Sequence, residues 1–245
     1  MRVGGTNATL RVGTSGFHYR HWRGDFYPLD LPNDEWLTYY AARFDTVEIN
    51  NTFYHLPRGK VFDAWRDAAP PGFSYALKFS RYGSHVKRLK SSRSIIKKFL
   101  GRAERLHESL GPVLVQLPPN WRPHPDRLIR FLAGAPRRHR WAVEFRDRRW
   151  LCDEIFDILA SHRAALCVHD MIEDHPRPVT TNWVYLRFHG NRYRGSYSPQ
   201  YLTARAKEIQ DYLAKGLDVY AYFNNDLQGH AVRNAADLRR YVSEA

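Results

Sequence analysis

Cysteine is scarce in this sequence, with Cys152 and Cys167 the two residues of that type among 245. Neither sits in a paired metal spacing or a redox motif, which argues against a disulfide-stapled scaffold and fits a reducing, cytoplasmic setting. Long apolar runs are missing as well. No stretch approaches the roughly 18 apolar residues that a bilayer-spanning helix needs, so no membrane partner is expected. Residues 1–9 lack the apolar segment of a secretory signal and read as a short tail before one domain at 10–245. Gly/Ser linkers, low-complexity tracts and internal repeats are also lacking, so nothing in the composition marks a second domain.

Acidic residues are short relative to basic ones. Asp plus Glu is 25 against 38 for Lys plus Arg, a net charge of +13. That surplus favours an anionic partner, either nucleic acid or a phosphorylated small molecule, although a basic surface also serves solubility alone. Hydrophobic residues at 43% supply a full core.

Short β-branched or aromatic runs alternate with helical patterns, the sign of βα units on a parallel sheet. The runs are 10–15, 46–50, 74–79, 112–117, 140–146, 164–169, 183–189 and 218–223. Eight strands close a barrel just wide enough to be filled by side chains, so the expected fold is α/β, a single eight-stranded TIM-like barrel. Asn33 is a candidate N-cap before Trp36, Tyr40 and Phe44 at four-residue steps. Ile95, Ile96, Phe99, Leu100, Ala103 and Leu106 form one apolar stripe, and Leu202, Ala206, Ile209 and Leu213 form another. Asn234 with Asp237 resembles a capping arrangement before Leu238. The connection from Asp170 to Asn182 is rich in Pro and charge and has no helical period, so the sixth helix is predicted to be reduced or missing.

Residues two apart on a strand share a face. Outward apolar residues Val47 and Ile49 leave Glu48 and Asn50 inward; Leu77 and Phe79 leave Lys78 and Ser80 inward. By the same parity Val143 and Phe145 leave Glu144 and Arg146 inward, and Leu186 and Phe188 leave Arg187 and His189. Gln116 and the series Tyr220, Tyr222 and Asn224 face inward too. Barrel interiors are ordinarily apolar, and buried charge is costly unless paired. Two readings follow: a functional site at the carboxyl-terminal mouth, or an internal lattice in which Lys78, Arg146 and Arg187 balance Glu48 and Glu144.

Loops after strands add to the mouth. Trp22, Phe26, Tyr27, Phe53 and Tyr54 lie after the first two strands and either stack on a base or sugar or plug the opening. Arg81, His85, Lys87, Arg88 and Lys90 follow the third strand; Arg192, Tyr193, Arg194 and Tyr197 follow the seventh. Cations interleaved with aromatics suit a phosphate backbone.

Taken together, several ordered motifs resemble a known family. They are Gly13-Thr14-Ser15-Gly16 with Trp22 and Phe26-Tyr27-Pro28, Val47-Glu48-Ile49-Asn50 with Thr52-Phe53-Tyr54, and Leu110-Gly111-Pro112 with Gln116-Leu117-Pro118-Pro119. Glu144-Phe145-Arg146 with Trp150, Arg187-Phe188-His189-Gly190, and Phe223-Asn224-Asn225-Asp226 with Gly229-His230-Ala231 complete the set. This pattern is similar to the YecE-like proteins, a domain-of-unknown-function family. The resemblance spans Leu10 to about Val242 and implies a β/α barrel without supplying a reaction. Relatives often show His and Ser where this chain has Asp147 and its arginine neighbours before Trp150.

The expected catalytic set is Glu48, Glu144, Lys78, Arg146 and His189. The glutamates are candidate acid or base groups, the cations hold developing negative charge, and histidine moves protons near neutral pH. Substrate-binding candidates are Thr14, Ser15, Asn50, Tyr54, Gln116, Arg187, Asn224, Asn225 and Asp226. Phosphate-binding candidates are Arg81, Lys87, Arg88, Arg192 and Arg194. The leading expectation is an enzyme acting on a phosphate-bearing substrate; the others are a carbohydrate-active hydrolase with paired glutamates and a non-catalytic nucleic-acid binder. No cofactor is assigned, and a divalent metal would draw on His169, Asp170, His189 or Glu144, which form no recognised spacing.

Overall fold

A computed structural model describes residues 7–190, 193 and 195–244. Every predicted strand is present: β1 (Leu10–Thr14), β2 (Thr46–Ile49), β3 (Ser74–Lys78), β4 (Leu110–Gln116), β5 (Trp141–Glu144), β6 (Ala165–His169), β7 (Trp183–Phe188) and β8 (Asp218–Phe223). They form one sheet in the order β1-β8-β7-β6-β5-β4-β3-β2. Its ladders run parallel, and a further parallel bridge ties Ser15 to Glu48. The fold is that of a TIM-like β/α barrel.

The helices are α1 (Trp36–Ala41), α2 (Asn51–Tyr54), α3 (Gly59–Ala68), α4 (Ser92–Ala103), α5 (Pro125–Gly134), α6 (Asp153–Ser161), α7 (Pro199–Ala214) and α8 (His230–Glu244). No helix lies between β6 and β7, as the Pro-rich connection predicts. Among the described residues, no helix is long and apolar enough to cross a membrane.

The chain divides into two compact units. The first runs up to Glu48, adds His169–Met171, and resumes at Asn182. Its core is aromatic: Trp22, Tyr27, Trp36 and Tyr40 are fully enclosed, and Tyr27 stacks on Trp36 with centroids 4.6 Å apart. Trp22 and Tyr27 therefore plug rather than offer an open stacking platform. The Tyr40 hydroxyl accepts from the Thr14 backbone N–H at 2.9 Å and donates to the Thr46 carbonyl at 3.1 Å. A Cβ on Gly13 would come within 2.3 Å of that same carbonyl, so glycine permits the close approach of β1 to β2.

The second unit comprises Ile49–Val168 and Ile172–Thr181. Phe79, outward by parity, packs on Phe99 of α4 and Phe131 of α5 with centroids 5.1 and 5.4 Å away. The helix-less connection is pinned to the edge of β6 through Thr180, whose hydroxyl accepts from Leu166 N–H at 3.0 Å and donates to the Ala164 carbonyl at 2.7 Å.

Three local expectations are corrected. Asn33 does not cap α1: it opens a 3-10 turn at Asn33–Glu35, and its side-chain oxygen accepts from Arg23 at 3.0 Å. Asn234 does not begin a helix, because α8 starts at His230. Its side chain instead accepts from Asn225 at 2.9 Å and donates to Ser196 at 2.9 Å. Phe53 and Tyr54 lie on the short helix α2 rather than in a loop.

Candidate functional site

In the first unit the carboxyl ends of β2 and β7 carry Glu48 and Arg187, and neither side chain is exposed. Arg187 donates to Glu48 Oε1 at 2.8 Å, Ser15 donates to the same oxygen at 2.6 Å, and Tyr185 donates to Oε2 at 2.6 Å. Both carboxylate oxygens are thus engaged. Burial and the neighbouring Glu48 charge together push the Tyr185 hydroxyl well above its ordinary range, so it stays a donor.

A second constellation forms where β6 and β7 end. Asp170 accepts from His189 Nδ1 at 3.1 Å, from the His189 backbone N–H at 2.9 Å, and from the Tyr197 hydroxyl. Burial raises the Asp170 carboxyl, but the His189 ring and the Tyr197 hydroxyl outweigh it and hold the group below the usual carboxylate range. The carboxylate thereby fixes the orientation of the His189 ring. The His169 ring stands edge-on to it at 5.9 Å, and Tyr193 at 5.3 Å.

The Asn224-Asn225-Asp226 motif closes this unit. Asn224 N–H donates to the Phe188 carbonyl at 2.7 Å. Asn225 is buried and donates to the Gly195 carbonyl at 2.8 Å, while its own oxygen has no hydrogen-bond partner among the described residues. Burial raises the Asp226 carboxyl, against a smaller lowering by His21. Thr14 is spent on Tyr40.

In the second unit β3 ends on Lys78 and β5 on Glu144. Arg146 pairs with Glu144 Oε1, and the Cys167 thiol faces Oε2 at 3.8 Å. Gln116 stands beside Glu144 in the β4–β5 register. The Lys78 ammonium lies 4.3 Å from the centre of the Phe53 ring, and His85 packs on the edge of the same ring at 5.0 Å. Burial pushes His85 down to about 4, and the charges of Lys78, Arg81 and Arg146 add to that effect against Glu144. This imidazole is neutral near pH 7 in a locally electropositive setting.

Other predicted residues are less engaged. Asn50 is half-buried with its side-chain oxygen unpartnered, and Tyr54 is 74% exposed. Arg81 and Arg88 are exposed, and the Lys87 ammonium sits 5.4 Å from the Tyr82 ring. Arg192 and Arg194 lie outside the described residues. No group of three or more His, Cys, Asp or Glu side chains is arranged to hold a metal among the described residues.

Tyr185 escapes a reading of the sequence based on charge, although it shares the inward parity of Arg187 and His189; Tyr197 is placed by the sequence on the loop after the seventh strand, but not against Asp170. Tyr197 reaches Asp170 from beyond the end of β7, and no spacing rule signals that contact.

An eight-stranded β/α barrel with ionisable side chains at its strand ends defines the class of protein. The family model "Protein of unknown function DUF72" matches residues 11–245, and the chain belongs to that family. It is 32% identical over 108 residues to the UPF0759 protein YecE of Escherichia coli K12, a match spanning 44% of this chain and 40% of that protein's length. It is 22% identical over 251 residues to the UPF0759 protein YunF of Bacillus subtilis, covering 86% of this chain and 88% of the relative. Among solved structures, a DUF72 family protein of Thermotoga maritima superposes with a TM-score of 0.84 at 28% identity, over 95% of this chain and 98% of the other.

Proposed function

We propose that this chain is an enzyme acting on a phosphate-bearing substrate, a nucleotide, nucleic acid or sugar phosphate, by acid–base chemistry. Glu144 is the proton-transferring group, and Lys78, Arg81 and Arg146 hold the anionic oxygens. The observation that carries the reading is that His85 in the second unit feels three cations, Lys78, Arg81 and Arg146, against Glu144 alone, and that Arg146 is paired with the Glu144 carboxylate. Cations fixed in place before substrate arrives stabilise charge that develops during reaction. A neutral imidazole beside them donates a hydrogen bond without adding repulsion. His189, held by Asp170 in the first unit, is given no proton-transfer step in this reading.

Glu48 takes a framework role in this reading. Its oxygens already accept from Ser15, Arg187 and Tyr185, which speaks against the paired-glutamate chemistry of a glycosidase. A cytoplasmic location suits two cysteines with no disulfide between them.

The test is turnover on a panel of nucleotides, oligonucleotides and sugar phosphates, with Glu144→Gln beside the unaltered protein. Loss of an acid–base group lowers kcat by about 10²- to 10⁴-fold. Full turnover by the variant, or no turnover of any panel member by the unaltered protein, rejects the reading.

A further inference from the structure

A hollow of about 740 Å³ opens between the first turns of α4 and α5, lined by Lys90, Ser92, Arg93, Arg127 and Arg130 among others. That volume falls within the range of small-molecule sites. Four cations line it and no carboxylate does. Among the described residues none of the four forms an ion pair; the Arg127 guanidinium lies 5.9 Å from the Trp121 ring, and the rest have no charged or hydrogen-bonded side-chain partner there. Some exposed arginines on this chain are paired, as Arg105 is with Asp63 and Arg149 with Asp147, whereas Arg20 and Arg58 form no ion pair among the described residues; what distinguishes the hollow is that four cations share one concavity.

Ser92 adds a neutral donor to the lining. It is 9% exposed, it lines the hollow, and its hydroxyl, open to solvent, makes no hydrogen bond among the described residues. The start of α4 has no side-chain cap and no acidic residue in its first turn, so its amide groups present partial positive charge to the same space. Placing Lys90 and Arg93 at that positive end is unfavourable unless an anion offsets them.

We propose that this hollow is a binding site for a phosphoryl group, held by Arg93, Arg130 and Lys90, with the Ser92 hydroxyl and the first amides of α4 as further donors. Guanidinium groups match phosphate oxygens two at a time. The site does not depend on Glu144, and its ligand need not be the group that reacts.

The experiment is calorimetric titration of the full chain with inorganic pyrophosphate at low salt. Arg93→Gln/Arg130→Gln should weaken binding by about ten- to a hundred-fold, and Ser92→Ala by roughly two- to ten-fold. Lys97→Gln/Lys98→Gln removes the same charge from α4 outside the hollow and should leave affinity within about two-fold. Thermal melting of each variant verifies folding. An oligothymidylate displaced by pyrophosphate from the unaltered protein assigns the hollow to backbone phosphates; pyrophosphate binding without such competition assigns it to small phosphate esters. Absence of pyrophosphate binding, or equal losses in the two double variants, overturns the proposal.

Discussion

Glu48 and Arg187, 139 positions apart in the chain, meet at 2.8 Å with both side chains wholly enclosed. Enclosing two charges costs more desolvation than their attraction alone returns, unless hydrogen bonds complete the arrangement. Here Ser15 and Tyr185 supply them. Removing one partner leaves the other charged and buried. Arg187→Met is therefore expected to destabilise by about 3–5 kcal/mol, and Tyr185→Phe by roughly 1–3 kcal/mol, in urea unfolding. A near-neutral Arg187→Met would contradict the framework role of this cluster.

Glu144 separates a site from a lattice. If its charge mainly balances Arg146, Glu144→Gln leaves a buried cation uncompensated and should cost about 3–5 kcal/mol. If the carboxylate is held for chemistry, the variant should melt at or above the temperature of the unaltered protein, since functional sites trade stability for activity. The proposed function predicts the second outcome. A large fall in Tm removes Glu144 from its catalytic role before any substrate is known.

His85 gives a pH signature. An ordinary histidine titrates near 6.5, whereas burial and the nearby Lys78 and Arg81 depress this one to about 4. Between those values the unfolded chain binds more protons than the fold, so stability attributable to His85 rises with pH across roughly 4 to 6.5 and is flat above. His85→Gln should remove that slope from a pH series of melts. An NMR titration should place the ring's midpoint near 4, and Lys78→Met should move it upward. A midpoint at the ordinary value would dismiss the electropositive setting.

Asp170 acts at lower pH. Its carboxyl is held below the unfolded value despite burial, so its contribution is present above the unfolded pKa of about 3.9 and fades as pH falls through the folded one. Asp170→Asn should flatten the acid limb of the stability curve. It should also loosen the His189 ring, visible as broadened or shifted imidazole signals. An acid limb unchanged by the substitution would show that the bonds from His189 and Tyr197 do not set its charge.

The strands were legible because their burial alternates or runs continuously over windows too short for helices, and Phe79 on Phe99 and Phe131 follows directly from parity. The missing sixth helix was legible for the opposite reason, as prolines and charge defeat a 3.6-residue period. Helix ends were not. Asn33 and Asn234 carry the residue type that caps helices, but each amide is spent on a tertiary partner, Arg23 and Asn225 respectively. Within the candidate site, parity found Glu48, Lys78, Glu144 and Arg187. It passed over Tyr185, because a hydroxyl bonded to a carboxylate leaves no charge pattern to read, and the sequence places Tyr197 on the loop after the seventh strand without its bond to Asp170. Arg93, Arg127 and Arg130 look like ordinary solvated positions on amphipathic helices, and only the fold brings them to one hollow.

The first compact unit is assembled from segments at both ends of the chain, and this has a consequence for the order of synthesis. A ribosome adds about 5–20 residues per second, so the stretch between Glu48 and Arg187 takes on the order of ten seconds to make. For that interval Glu48 has neither Arg187 nor Tyr185, and β1 lacks β8, its partner in the sheet. Within the nascent amino-terminal segment, Trp22, Tyr27 and Trp36 already have their ring neighbours, whereas the Trp22 indole N–H must wait for the Asp226 carbonyl. During that interval the Glu48 carboxylate and the edge of β1 are the groups left open to water.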